Sequence, residues 1–182
     1  MDDAELVARL KQFDPQAVSY VVGHFGPPLY RYVAAIVGDH HLAEDIVSET
    51  YVRMLERIGD YTYTGAPFRA WLYRVAHNLA MNAVTRTRAV HDDEALARAE
   101  LPEGDPAIAA VRSEEHAAVR AALTSLTEEQ QQVLLLRFVA RQPVAEVAQQ
   151  LGRSEGAVKQ LQLRALRSLG RLLGAEDGGH GR

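Results

Sequence analysis

The chain has 182 residues, 47% hydrophobic and 24% charged. That balance suits a soluble globular chain of one domain or two small ones and excludes wholesale disorder. No stretch approaches the ~20 apolar residues of a membrane span, and the absence of cysteine excludes disulfides, thiolate zinc sites and a cysteine nucleophile. The formal net charge of −4 is unevenly spread. Residues 1–90 are nearly neutral, 91–116 carry two basic and eight acidic residues, and 117–174 carry eight basic and four acidic ones. An acidic connector therefore joins a neutral half to a basic half.

The opening MDDAELVARLKQF has acids where a signal peptide needs bases and no apolar run behind them, so a cytoplasmic chain without membrane insertion is expected. Helical periodicity predicts helices near 3–12, 15–24, 28–37 and 41–58. Asp14-Pro15 and Pro27-Pro28 are read as breaks, because proline suits a first turn and disfavours helix at the residue before it. In 41–58 the apolar stripe is Ile46, Val47, Thr50, Tyr51, Met54, Leu55 and Ile58. Asp45, Glu49 and Glu56 share another face with Val52 and Arg53. The pair His40-His41 near Glu44 and Asp45 reads as a helix start rather than a metal site.

A turn-rich stretch, Gly59 to Pro67, precedes a helix of about twenty residues from Phe68 to Arg88. Its expected core stripe is Phe68, Leu72, Val75, Ala76, Leu79 and Ala83. Tyr61, Tyr63, Trp71 and Tyr73 lie near Arg69, Arg74, His77, Asn78 and Asn82. Aromatic faces stack on unpaired bases, arginines neutralise phosphates, and asparagine reads a base edge. Core packing competes with stacking as the role of Phe68 and Trp71.

In the C-terminal half Thr127-Glu-Glu-Gln130 predicts a capping box before VLLLRFV. Pro143 opens VAEVAQQL and Gly152 closes it, and Ser154 caps the next helix with Glu155 in its first turn. Ala148, Gly152 and Val158 stand at the spacing a helix-turn-helix requires: a small residue for close approach, a glycine for the left-handed turn, a β-branched residue in the corner. Such a second helix enters a major groove by its N-terminal end. Glu155, Lys159 and Gln160 are the candidates to reach base edges, and Arg164, Arg167 and Arg171 to meet phosphate, with Gln162 a weaker candidate.

AEDIVSETYVRMLERI followed by FRAWLYRVAHNLAMNAVTRTR resembles region two of bacterial RNA polymerase sigma factors. LTSLTEEQQQVLLLRFVARQPVAEVAQQLGRSEGAVKQLQLRAL resembles their region four. The short chain is similar to the compact extracytoplasmic-function (ECF, group 4) type. The resemblance implies an all-α fold of two small helical domains. Region two would occupy 1–90, an acidic flexible linker 91–114, the region-four helix-turn-helix 115–174 and a disordered tail 175–182.

It further implies that Asp45, Glu49, Val52, Arg53 and Glu56 meet the β′ clamp helices of core RNA polymerase, and that region four meets the β flap. Tyr61, Thr62, Tyr63, Arg69, Trp71, Arg74, Asn78, Asn82, Arg86 and Arg88 would bind the minus-ten element, the Tyr61 to Gly65 loop capturing an extruded base. Arg153, Ser154, Glu155, Lys159, Gln160, Arg164 and Arg167 would bind the minus-thirty-five element. Promoter DNA and an anti-sigma protein are the further expected partners.

Two departures from the family pattern stand out. His77 replaces the Arg of the usual Arg-Asn pair, and Leu161 and Leu163 stand where Arg and His are common. Neither a phosphate loop, GxGxxG, HExxH nor a catalytic constellation is present, so a non-enzymatic protein without cofactor or metal is expected. The alternative is a helix-turn-helix regulator that is not a polymerase subunit.

Overall fold

A computed structural model describes residues 2–63, 67–90 and 117–177. Among them every regular element is helical and no strand occurs. The expected linker and most of the expected tail lie outside the described residues.

Helix α1 (Asp3–Lys11) is capped by Asp2, whose carboxylate accepts from the Glu5 N–H at 2.8 Å. Asp14 caps α2 (Pro15–Val37) and also accepts from Arg9 Nε at 2.8 Å. That pairing holds the Asp14 carboxyl below the usual carboxylate range. Helix α2 ends at Gly38, in the left-handed conformation at φ 73°. Asp39 then caps α3 (His40–Arg57) through the Leu42 N–H.

The break expected at Pro27-Pro28 does not occur: α2 runs through both prolines. Each proline forfeits a helical hydrogen bond and crowds the preceding turn, at a cost of about 3 kcal/mol or more. The compensation is packing. Val21 and Phe25 before the prolines and Leu29, Tyr32, Val33 and Ile36 after them form one buried stripe. Burying each large apolar side chain contributes about 1.5–3 kcal/mol, so keeping the stripe in register outweighs the loss.

Helix α3 buries Ile46, Thr50, Met54 and Ile58, as its periodicity predicts. Helix α4 (Phe68–Val90) packs against α2 and α3. Its start is capped across the fold, since the Phe68 N–H donates to Asp3 of α1 at 2.7 Å. Phe68, Leu72, Ala76 and Ala83 are buried as expected, and Val75 and Leu79 are half-buried. A second stripe, Ala70, Tyr73, His77 and Ala80, is buried as well. This helix therefore has cover on two sides.

The C-terminal half supplies the second cover. Residues 117–124 form α5. Thr127 and Gln130 make the predicted capping box on α6 (Glu128–Leu134). A π-helical turn, Leu135–Val139, follows. Val133, Leu134, Leu135 and Leu136 are buried in succession. At 100° per residue such a run goes most of the way round a helix, so this segment is enclosed on several sides. Leu135 and Leu136 belong to the same core cluster as Tyr32, Phe68 and Leu72. The two halves therefore share one core.

Helix α7 (Val144–Leu151) and helix α8 (Glu155–Asp177) make the helix-turn-helix. Gly152 adopts φ 63°, Val147, Ala148 and Val158 are buried, and Ser154 Oγ accepts from the Ala157 N–H at 3.2 Å. Helix α8 continues to Asp177, three residues into the segment expected as a tail.

No atom lies within 4 Å of where a Cβ at Gly152 would stand, so backbone strain alone opposes a side chain there. Gly152→Ala should cost about 1–2 kcal/mol in denaturant unfolding, and Gly152→Asn less, because asparagine tolerates the left-handed region.

Candidate nucleic-acid interface

Three helical faces carry the residues singled out by the sequence. On α3, Asp45, Glu49, Val52, Arg53 and Glu56 fall within an arc of about 100° at 3.6 residues per turn. Asp45, Val52 and Glu56 are exposed, and Glu49 and Arg53 are half-buried and paired at 2.7 Å. Val52 is 48% exposed amid these charges. The face presents an apolar point ringed by carboxylates, opposite the buried stripe of the same helix.

On α4, Trp71, Arg74, Asn78, Asn82 and Arg86 fall within an arc of about 120°. Arg74, Asn78, Asn82 and Arg86 are exposed and Trp71 is half-buried. The Trp71 ring lies 4.8 Å from the Tyr61 ring, tilted by 42°, and both lean on buried Phe68. Thr62 and Tyr63 are exposed beside them. Together these side chains form an aromatic platform continued by a basic and amide-bearing stripe, with the planar surfaces and donors that unpaired bases and phosphates engage. Gly65 and the Arg88 side chain lie outside the described residues.

Arg69 stands apart. It projects from the opposite side of α4 and forms an ion pair with Glu146 of α7. Tyr73 is buried against Tyr32, ring centroids 5.0 Å apart, and offers no open face.

On α8, Ser154, Glu155, Lys159, Gln160, Arg164 and Arg167 are exposed. Arg153 is exposed too and pairs with Glu129 of α6. Gln162 is half-buried, accepting from Arg137 Nε at 3.2 Å, which turns it away from solvent. Leu161 packs against the core cluster, so an apolar residue there serves the fold, while Leu163 is 42% exposed. Among the described residues no group of three His, Asp or Glu side chains is placed to hold a metal, and no helix is long and apolar enough to cross a membrane.

Sequence reasoning missed the residues of the C-terminal half that face α4: Glu128, Glu146, Gln149 and Gln150. No local pattern marks them, because their role follows from how the two halves meet.

Residues 21–90 match Sigma-70 region 2 and residues 122–170 match Sigma-70, region 4. The chain is 38% identical to the ECF RNA polymerase sigma factor BldN of Streptomyces coelicolor, over 93% of this chain and 65% of that protein. It therefore spans about two thirds of the length of BldN. It is 34% identical to the ECF RNA polymerase sigma factor ShbA of Streptomyces griseus, over 90% of this chain and 91% of ShbA. Among solved structures it is similar to CnrH in complex with the cytosolic domain of CnrY. The TM-score is 0.65 at 25% identity, covering 95% of this chain and 97% of that one.

His77, at the departure from the Arg-Asn pattern, is 1% exposed. Its Nδ1 lies 2.9 Å from the Tyr32 hydroxyl, and its Nε2 is 3.6 Å from Glu128 of α6. It belongs to the packing between the halves rather than to an outer surface. Burial lowers its pKa, and Glu128 offsets part of that. In the unfolded chain the imidazole takes a proton near pH 6.5. The stability that comes from burying it neutral is therefore present above that pH and lost as pH falls below it. The unfolding free energy of the wild type should drop more between pH 7 and pH 5 than that of His77→Gln. An equal slope in the two proteins would contradict this assignment.

Proposed function

Because the chain belongs to the extracytoplasmic-function RNA polymerase sigma factors, we propose that its three exposed helical faces divide promoter recognition among them. The match to both sigma regions sets aside the alternative of a helix-turn-helix regulator outside the polymerase. The α3 face, with Val52 at its centre and Asp45, Glu49, Arg53 and Glu56 around it, docks on the β′ clamp helices. The α4 platform and stripe receive the non-template strand of the minus-ten element. The N-terminal end of α8 reads the minus-thirty-five element as duplex, and region four also meets the β flap.

One observation carries this reading: the Tyr61–Trp71 platform runs directly into the stripe Arg74, Asn78, Asn82 and Arg86. Extruding a base costs a few kcal/mol of unstacking and unpairing. Stacking on an aromatic side chain returns about 1–3 kcal/mol per base, and the stripe adds phosphate and base-edge contacts. Tyr63 and Thr62, exposed at the loop, are the groups that meet the extruded base. Arg69, on the opposite side of α4 and paired with Glu146, stands apart from this strand's path. On α8, Glu155, Lys159 and Gln160 address base edges while Ser154, Arg153, Arg164 and Arg167 hold phosphates.

The protein makes and breaks no covalent bond itself; polymerase does the chemistry. It works in the cytoplasm, where polymerase and promoter are. CnrH is in complex with the cytosolic domain of CnrY in its structure; for this chain, an anti-sigma protein seated on the α3 face would silence it by keeping it from core polymerase.

With purified core polymerase and a promoter template, the chain should give specific initiation without any other sigma subunit. Asp45→Lys combined with Glu49→Lys should weaken binding to core polymerase at least tenfold and leave the unfolding free energy within about 0.5 kcal/mol, the usual range for surface substitutions. Undiminished core binding would remove the α3 face from the account.

A further inference from the structure

We propose that Arg137, which stands on none of the three outward faces, is a positioning residue that aims the recognition helix. Its guanidinium joins both helices of the helix-turn-helix to the π-helical turn and so fixes the angle at which α8 meets the minus-thirty-five element. This rests on the reading of α8 given above.

The guanidinium has two acceptors on two different elements. Its Nε donates to Gln162 Oε1 of α8 at 3.2 Å, and its Nη1 donates to the carbonyl of Gln142, the residue before the N-cap of α7 at Pro143. A planar fork with donors in fixed directions holds two such acceptors at once, whereas a lysine ammonium is a point charge on a flexible stem. Arg137 follows four successive buried residues, Val133 to Leu136, so its own backbone is anchored in the core.

The segment it holds is strained. Arg141 has φ 54°, in the left-handed region that a side chain disfavours. Such residues persist where surrounding contacts over-determine them. Here the next residue is bound on both sides. The Gln142 N–H donates to the Leu136 carbonyl at 2.9 Å, and its own carbonyl accepts from Arg137. The chain reversal that sends α7 away from the π-helical turn is thus set by the same side chain that reaches α8.

Gln162 is the point on α8 from which aim can be set. Glu155, Lys159 and Gln162 stand at i, i+4 and i+7, within an arc of about 60°. Glu155 and Lys159 are exposed and Gln162 is half-buried. One stripe of the helix therefore runs from the pinned residue to two base-reading candidates, the farther about 10 Å along the axis. The packing of Val158, Leu161 and Ala165 against the core is non-directional, so the directional bond at Gln162 supplies the roll angle. A roll of about 20° would carry a side-chain tip, about 5–6 Å from the axis, through about 2 Å. That exceeds the few tenths of an ångström over which a hydrogen bond to a base edge keeps its length.

Holoenzyme assembled from core polymerase and the full-length chain tests this on two promoter duplexes, one with the minus-thirty-five element intact and one with it scrambled. Arg137→Met should lower the ratio of the two affinities at least tenfold and leave affinity for the scrambled duplex within twofold. The slope of log affinity against log salt should not change, because no phosphate contact is lost; loss of one would flatten it by about 0.9. Gln162→Met should lower the ratio in the same way, and the double variant no further than either single one. Gln162→Glu, which still accepts from the guanidinium, should keep the ratio within threefold. A merely structural role would remove active protein from both duplexes alike and leave the ratio as it was. Should Arg137→Met fail to fold, Gln162→Met carries the test. An unchanged ratio in the variants that fold, or a flattened salt slope with Arg137→Met, overturns the aiming role. A wild-type holoenzyme that binds both duplexes equally overturns the reading of α8 itself, and the aiming role with it.

Discussion

The structure depends on the double burial of one helix. Phe68, Leu72, Ala76 and Ala83 of α4 lock region two together, and Tyr73 and His77 on its other flank meet the C-terminal half. What remains of the helix circumference is one polar arc, Trp71 to Arg86, and that arc is the proposed seat of the opened strand. The same cylinder thus sets the fold of region two, the contact with region four and the candidate DNA face. A change on any flank is transmitted to the others because the helix is rigid across its several turns.

Charge is distributed so that the three faces do not compete for one partner. The α3 face is acidic around an exposed valine, the α4 arc is basic and amide-bearing, and the open side of α8 combines one acid with a lysine and arginines. A polyanion is drawn to the second and third and repelled by the first, whereas a basic protein surface sees the reverse. Overall acidity therefore does not conflict with DNA binding, because the surplus of negative charge is carried by residues 91–116.

Much of this was legible in the sequence, because much of it is local. The helix start at Pro15, the cap at Thr127, the glycine turn at Gly152 and the two faces of α3 are each set by residues within a turn or two of one another. The continuity of α2 was not legible. Two adjacent prolines argue for a break on local grounds, and only the buried stripe from Val21 to Ile36 explains why the helix persists. The cap of α4 by Asp3 was hidden for the same reason, since 65 residues separate the partners. The pairing of Arg69 with Glu146 and the burial of His77 were hidden too: a basic or imidazole side chain among aromatics reads as a nucleic-acid contact until its neighbours in space are known.

The account's central claim is that the polar arc of α4 holds promoter DNA open. Permanganate reactivity of minus-ten thymines tests it most directly, on complexes of core polymerase with the wild-type chain or with Trp71→Ala combined with Asn78→Ala. The account predicts reactive thymines with the wild type and protected ones with the double variant, at equal occupancy of polymerase. Equal thymine reactivity in the two complexes would contradict it.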